Sequence, residues 1–124
     1  KRLHAACPVG DRTITIALAY GGRQEIVDAV RELVAELADD GVPAGEIIDH
    51  IDADALAAHM YASDIPDPDL VIRTSGEARL SGFLLWQSAY AEYSFVDVYW
   101  PAFRRVDFLR ALRAYAARGR RFGS

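Results

Sequence analysis

The sequence predicts an α/β protein, a parallel-sheet sandwich with flanking helices. Short apolar runs of strand length alternate three times with longer segments in which apolar residues recur at every third or fourth position. This alternation is typical of a parallel sheet, because each return to a parallel strand needs a helix-length crossover. At 124 residues and 52% hydrophobic residues, the chain has the size and apolar content of one domain.

The first half of the chain should contain one strand and three helices. Residues 13–20 form a β-branched, mostly apolar run that stops at two glycines, which predicts a buried strand and a turn. Residues 24–37 carry apolar side chains at the spacing of one helix face, whereas Glu25 falls on another face. Two short helices are expected at 45–50 and 53–61.

The second half should add two strands and two helices. Residues 70–73 form a compact apolar strand, and a third strand is expected near 93–98. The apolar segment 83–90 predicts a helix, for which Ser81 would be the N-cap. Residues 106–117 have the apolar spacing of an amphipathic closing helix.

Composition narrows the classes of function. A net charge of −4 argues against a general nucleic-acid partner, although the segment 104–124 is locally basic. The single cysteine, Cys7, can form neither an internal disulfide nor a cysteine metal cage, which fits a cytoplasmic protein. No apolar run approaches the ~20 residues that a membrane-spanning helix needs.

The most informative segment, 69–87, runs from an apolar strand that ends at Arg73 into a loop that carries Arg79 and Ser81. Arg73 ends the predicted strand, where ligands bind in open α/β sheets, and Arg79 follows on the same loop. Because arginine binds phosphate oxygens in pairs and Ser81 adds a hydroxyl donor, the pattern predicts a diphosphate grip. The alternative is that both arginines form ordinary ion pairs with Glu77 and nearby acids.

Two other groups have both a functional and an ordinary interpretation. Glu92 follows the predicted helix at 83–90, where its carboxylate could hold a hard divalent cation or simply be solvated. The basic tail could contact phosphate through Arg121, or it could be a solvated helix end. The residues alone leave both alternatives open.

Taken together, the motifs resemble the C-terminal half of a cis-prenyltransferase, the family of undecaprenyl diphosphate synthase and the Z-farnesyl diphosphate synthases. The resemblance covers about 13–123. The matching motifs are Tyr-Gly-Gly-Arg at 20–23, Asp-Pro-Asp-Leu-Val-Ile-Arg-Thr-Ser-Gly-Glu at 67–77, Arg-Leu-Ser at 79–81, Phe-Leu-Leu-Trp-Gln at 83–87, Ala-Tyr-Ala-Glu at 89–92, Trp-Pro at 100–101 and Arg-Phe-Gly at 121–123.

The resemblance implies that isopentenyl diphosphate is condensed with an allylic prenyl diphosphate, forming a new Z double bond and releasing inorganic diphosphate. Arg73, Arg79 and Ser81 would hold the diphosphate of isopentenyl diphosphate. Glu92 would help to place Mg²⁺, in this family typically across a dimer interface.

The resemblance also implies a cytoplasmic homodimer. Arg121 and Gly123 match the family's Arg-x-Gly ending, which reaches the isopentenyl diphosphate site of the neighbouring subunit. A peripheral contact with a membrane would come through the lipid product. The product would be either a short Z-farnesyl diphosphate or a longer deca- or undecaprenyl diphosphate.

Three departures from the family pattern shape the expectation. Nothing matches the Asp-Gly-Asn-Gly-Arg type loop that carries the family's catalytic Asp, so 1–124 is expected to be the C-terminal portion of a single domain, inactive without the other half. Gly82 and Ala102 stand where Asn and Asp are frequent, and neither is a diphosphate ligand.

Two rival hypotheses remain at this point. The chain could belong to a non-catalytic partner subunit of a heteromeric cis-prenyltransferase, although such a subunit has no need of its own Arg73, Arg79 and Ser81. A simple phosphate-binding α/β module would leave the motif at 83–92 and the basic tail unexplained.

Overall fold

The computed structural model describes residues 13–118, which form three α-helices, two short 3-10 helices and a two-stranded sheet. In chain order the elements are α1 (Gly22–Asp39), a 3-10 helix (Ile47–His50), α2 (Ala53–Ala58), β1 (Leu70–Arg73), β2 (Glu92–Phe95), a second 3-10 helix (Trp100–Ala102) and α3 (Arg105–Ala117).

Most predicted elements lie where the sequence placed them. The helix predicted at 24–37 lies within α1, and α3 begins one residue before the predicted 106–117. The strand predicted at 70–73 coincides with β1. The segments 45–50 and 53–61 contain shorter helices than predicted.

Local capping explains where two of the helices begin. The Asp52 side chain accepts a hydrogen bond of 2.8 Å from the N–H of Ala55, which satisfies a free donor in the first turn of α2. At α3 the Asp107 carboxylate accepts from the backbone N–H of Arg104 at 3.0 Å. An acidic side chain in a first turn also suits the positive end of the helix dipole.

The two strands confirm the predicted parallel sheet. β1 and β2 pair in parallel, from Leu70 opposite Glu92 to Arg73 opposite Phe95. The carboxyl ends of both strands therefore lie at the same edge of the sheet, and the loop that follows Arg73 starts there.

The strand predicted at 13–20 is not formed. In the described part of the chain this run pairs with neither β1 nor β2, and the side chains of Ile14, Ile16 and Leu18 are exposed. A strand depends on hydrogen bonds to a neighbouring strand, so apolar, β-branched composition alone does not create one. The expected burial of this run is therefore wrong.

The helix predicted at 83–90 is also wrong, because the segment is a series of turns. Gly82 and Leu84 have φ angles of 80° and 49°, in the left-handed region that interrupts a right-handed helix. Ser81 consequently caps no helix, and the helix start that lies beside it is that of α1 at Gly22.

The main core lies between α1 and α2. Ala29, Leu56 and Met60 are buried together, and the partly buried side chains packed against them are Ile26, Val30 and Trp86. This packing fixes the position of the turn segment 83–90 relative to α1 through Trp86. No helix in the described range is both long enough and apolar enough to cross a bilayer.

Candidate functional site

A surface cavity of about 190 Å³ at the carboxyl edge of the sheet brings together Arg73, Arg79 and Ser81. These are the three residues that the sequence predicted as a diphosphate grip. The remaining lining is mainly apolar and consists of Val71, Ile72, Thr74, Leu80, Phe83 and Tyr93. The cavity thus combines cationic donors with an apolar wall.

The two arginines converge on a single carboxylate. Arg73 Nη2 donates to Glu77, and Arg73 Nη1 donates to the carbonyl oxygen of Arg79 at 2.5 Å. Arg79 approaches Glu77 with two donors, Nε at 3.1 Å and Nη2 at 2.8 Å. The ion pairs considered as the ordinary alternative are therefore present, and they hold both guanidinium groups on one anionic group.

The start of this loop is held against the chain that follows β2. The N–H of Ser75 donates to the carbonyl of Val98 at 2.7 Å, and that of Gly76 to the carbonyl of Val96 at 3.2 Å. Gly76 has a φ of 71°, and a Cβ there would lie 2.5 Å from the Asp97 carboxylate. Only glycine meets both conditions without strain, so this tight connection needs Gly76.

The end of the loop is held against the beginning of α1. The N–H of Gly22 donates to the carbonyl of Gly82 at 3.0 Å. A Cβ on Gly22 would collide with that carbonyl, so the close approach requires glycine. The φ of 80° at Gly82 is accessible to glycine and, next best, to asparagine, which suits both the residue present and the one frequent in the family.

Glu25 also contributes to this region, and it is buried although the sequence placed it on a different helix face from the apolar side chains. Its side chain is fully buried, and it accepts hydrogen bonds from Tyr20, from the N–H of Tyr61 at 2.9 Å and from Gln87 Nε2 at 2.8 Å. The Tyr20 hydroxyl also accepts from the N–H of Leu84 at 3.1 Å. Glu25 thus ties the turn segment to α1.

This environment changes the pKa of the Tyr20 hydroxyl. Burial raises the pKa of Tyr20 to about 12, with further contributions from the hydrogen bond and the negative charge of Glu25. The phenol therefore stays protonated and keeps donating to Glu25. Sequence analysis missed this arrangement because the partners of Glu25 at Tyr61 and Gln87 are distant in the chain.

Glu92 lies away from the arginine cavity. It begins β2 opposite Leu70, whereas Arg73 ends β1, a separation of about 10 Å along the strands. Arg118 Nη1 contacts the Glu92 carboxylate at 3.0 Å and the carbonyl of Tyr93 at 3.3 Å. The structure does not bring Glu92 together with Arg73, Arg79 and Ser81 within one chain.

The metal-ligating side chains available near Glu92 determine whether it can have the predicted metal role. Between residues 13 and 118 no group of three or more His, Cys, Asp or Glu side chains could hold a metal ion. Mg²⁺ is usually bound by one or two carboxylates with phosphate oxygens and waters, so a half-exposed carboxylate fits as one ligand of several. Arg121 and Gly123, the other predicted contacts, lie outside the described residues.

Comparisons with known proteins identify the family of the chain. Residues 4–123 match the prenyltransferase family model described as "Putative undecaprenyl diphosphate synthase". Isoprenyl transferase 1 of Corynebacterium efficiens is 62% identical over 120 residues, which cover 94% of this chain and 47% of the relative. The (2Z,6E)-farnesyl diphosphate synthase of Mycolicibacterium smegmatis is 63% identical over 110 residues, covering 89% and 42%.

Among solved structures, lavandulyl diphosphate synthase from Lavandula x intermedia in complex with dimethylallyl diphosphate matches with a TM-score of 0.76 and 38% identity. That match covers 86% of this chain and 44% of the plant chain. The chain spans about half the length of the curated relatives it matches. A family model that matches nearly the whole chain, with relatives near 60% identity and a shared fold, shows that the chain belongs to the cis-prenyltransferase family.

Proposed function

We propose that the protein to which this chain belongs condenses isopentenyl diphosphate with an allylic prenyl diphosphate, giving a Z-polyprenyl diphosphate and inorganic diphosphate. The observation that carries the proposal is the strand-end cavity that gathers Arg73, Arg79 and Ser81 in a chain of this family. The names of the similar proteins, which include a farnesyl and a lavandulyl diphosphate synthase, support the same class of substrate.

In this proposal the cavity contacts both ends of isopentenyl diphosphate, the diphosphate group and the isoprenoid chain. Arg73 and Arg79 would bind the diphosphate with charge-assisted, paired hydrogen bonds, and Ser81 would add a hydroxyl donor. Leu80 and Phe83, which line the same cavity, would contact the short isoprenoid chain. The contribution of this half of the enzyme is then to position the substrate and to offset its negative charge.

We also propose Mg²⁺ as the cofactor, with Glu92 as one ligand beside phosphate oxygens and waters. When bound, Mg²⁺ would neutralise the charge of the departing diphosphate. Because Arg118 engages the Glu92 carboxylate in the described chain, the guanidinium group would have to release it first. The position of Glu92 at the opposite end of the strands from Arg73 suits a site completed by another subunit.

We further propose a cytoplasmic homodimer in which Arg121 and Gly123 reach the isopentenyl diphosphate site of the partner subunit. Contact with a membrane would be peripheral, through the polyprenyl product. Light scattering of the purified full-length protein tests the dimer, since a monomer would leave the two tail residues without the proposed role.

The substrate role of the cavity is tested by Arg73→Ala in the full-length enzyme, assayed for incorporation of isopentenyl diphosphate. A lost charge-assisted contact is worth about 1.5 to 3 kcal/mol, so kcat/KM should fall by roughly 10- to 150-fold, with a higher KM for isopentenyl diphosphate. Arg31→Ala is a matched control, because Arg31 is an exposed arginine on α1. Unchanged kinetics in the Arg73 variant would remove this residue from the site.

A further inference from the structure

The Glu77 carboxylate lies between the guanidinium groups of Arg73 and Arg79. One carboxylate oxygen, Oε2, accepts from Arg73 Nη2 and from Arg79 Nε, and the other, Oε1, accepts from Arg79 Nη2. This is the paired arrangement in which arginine also binds phosphate oxygens. An anion entering the grip must therefore compete with Glu77 for the same donors.

The Glu77 carboxylate can leave this contact more easily than the Arg73 guanidinium can. The Glu77 side chain is 44% exposed, whereas that of Arg73 is 19% exposed and is also fixed by the Arg79 carbonyl. An ion pair of a half-exposed carboxylate contributes little net free energy, because water solvates the carboxylate when the partners separate. Turning the carboxylate into solvent is therefore inexpensive, while Arg73 stays in place.

The charge of the entering anion decides whether the exchange is favourable. A singly charged anion offers the arginines no more than the Glu77 carboxylate already offers. A diphosphate carries more charge and more oxygen atoms, so it can engage both guanidinium groups more strongly than a carboxylate does.

We propose that Glu77 is a displaceable internal counter-anion, which occupies the two-arginine grip until a diphosphate replaces it. This inference rests on the proposed function, because it concerns the same grip. Glu77 would then act as a specificity residue: it keeps the arginines paired without substrate and excludes anions of low charge.

The test is the affinity of the full-length protein for inorganic diphosphate and for inorganic phosphate, measured by calorimetry with a chelator present to remove divalent metal. Glu77→Gln removes the charge with little change of shape, and Glu77→Ala removes the carboxylate altogether. Glu46→Gln is the matched control, since it removes the same charge from an exposed position before the 3-10 helix at Ile47–His50.

We expect both Glu77 variants to bind diphosphate about three- to tenfold more tightly than the unchanged protein, the range given by the loss of two weak ion pairs of a half-exposed carboxylate. The preference for diphosphate over phosphate should shrink, and Glu46→Gln should change neither affinity. Arg73→Ala should weaken diphosphate binding.

Two other results would overturn the inference, and they differ in what they leave standing. If Arg73→Ala weakens binding but the Glu77 variants bind equally or less tightly, Glu77 holds the arginines in position for the ligand, and the grip itself stands. If Arg73→Ala also has no effect, diphosphate does not use these arginines, and the proposed substrate site fails together with the role of Glu77.

Discussion

Replacing Glu25 with alanine should destabilise the protein strongly, because three donors share its buried carboxylate. They are the Tyr20 hydroxyl, the Tyr61 N–H and the Gln87 amide. A hydrogen bond to a charged group contributes about 1.5 to 3 kcal/mol, and a buried donor without a partner costs about 1 to 3 kcal/mol. These values do not add, since the three bonds end on one carboxylate.

The expected size of the effect follows from which donors can find water. The side chains of Tyr20 and Gln87 belong to partly buried residues and can turn towards solvent, whereas the backbone N–H of Tyr61 is fixed by the chain and points at the fully buried carboxylate. One donor is therefore left without a partner and two are partly compensated. We expect the free energy of unfolding to fall by about 3 kcal/mol, a large share of the 5 to 15 kcal/mol typical of a domain.

The assay is urea unfolding of the full-length protein, followed by circular dichroism and by tryptophan fluorescence. Glu32→Ala is the control, because Glu32 is an exposed glutamate on the same helix. If the two variants differed by less than about 0.5 kcal/mol, the scale of ordinary surface substitutions, the inferred role of Glu25 would be wrong.

Two other substitutions test the packing of the loop and the charge of His59. Gly22→Ala should lower the free energy of unfolding by about 2 kcal/mol and, under the proposed function, raise the KM for isopentenyl diphosphate, because the added Cβ meets the Gly82 carbonyl. The control is Gly21→Ala, since the space around a Cβ at Gly21 is open. Equal melting temperatures of the two variants would argue against the close approach. The hydrogen bond to the Ala55 carbonyl, and then that to Glu36, raises the pKa of His59 above its ordinary 6.5. A raised folded-state pKa gives stability that is fully present below pH 6.5 and is lost as the pH rises through the raised value. The loss of stability in Glu36→Gln should therefore be larger at pH 6 than at pH 9. If the variant and the unchanged protein differed equally in unfolding free energy at both pH values, the pair would be uncharged.

The fold was predictable where a local pattern carries the information. β1 is a short apolar run between turn residues, and α1 and α3 are long segments in which apolar residues recur at helical spacing. The predicted bounds of all three elements therefore agree with the structure to within two residues. The strand at 13–20 depends on pairing partners that its own composition does not specify. The helix at 83–90 failed because left-handed backbone at Gly82 and Leu84 is not visible in apolar spacing.

The candidate site shows the same division. Arg73, Arg79 and Ser81 were predictable because they share one strand-to-loop segment, and a short loop keeps such residues together. Glu25 was not, since its hydrogen-bond partners are 36 and 62 residues away in the chain. A buried acid supported by distant donors has the same local pattern as an exposed acid on a polar helix face.

The parallel register of β1 and β2 makes the sheet a fixed spacer between two charged positions. Leu70 pairs with Glu92 and Arg73 with Phe95, so the hydrogen-bond ladder sets how far Glu92 lies from the arginine cavity. A slip of one residue would move that spacing by about 3.3 Å and would also turn each side chain to the other face. Any change of shape on ligand binding must therefore occur in the loops or at other parts of the protein, while these two positions keep their separation.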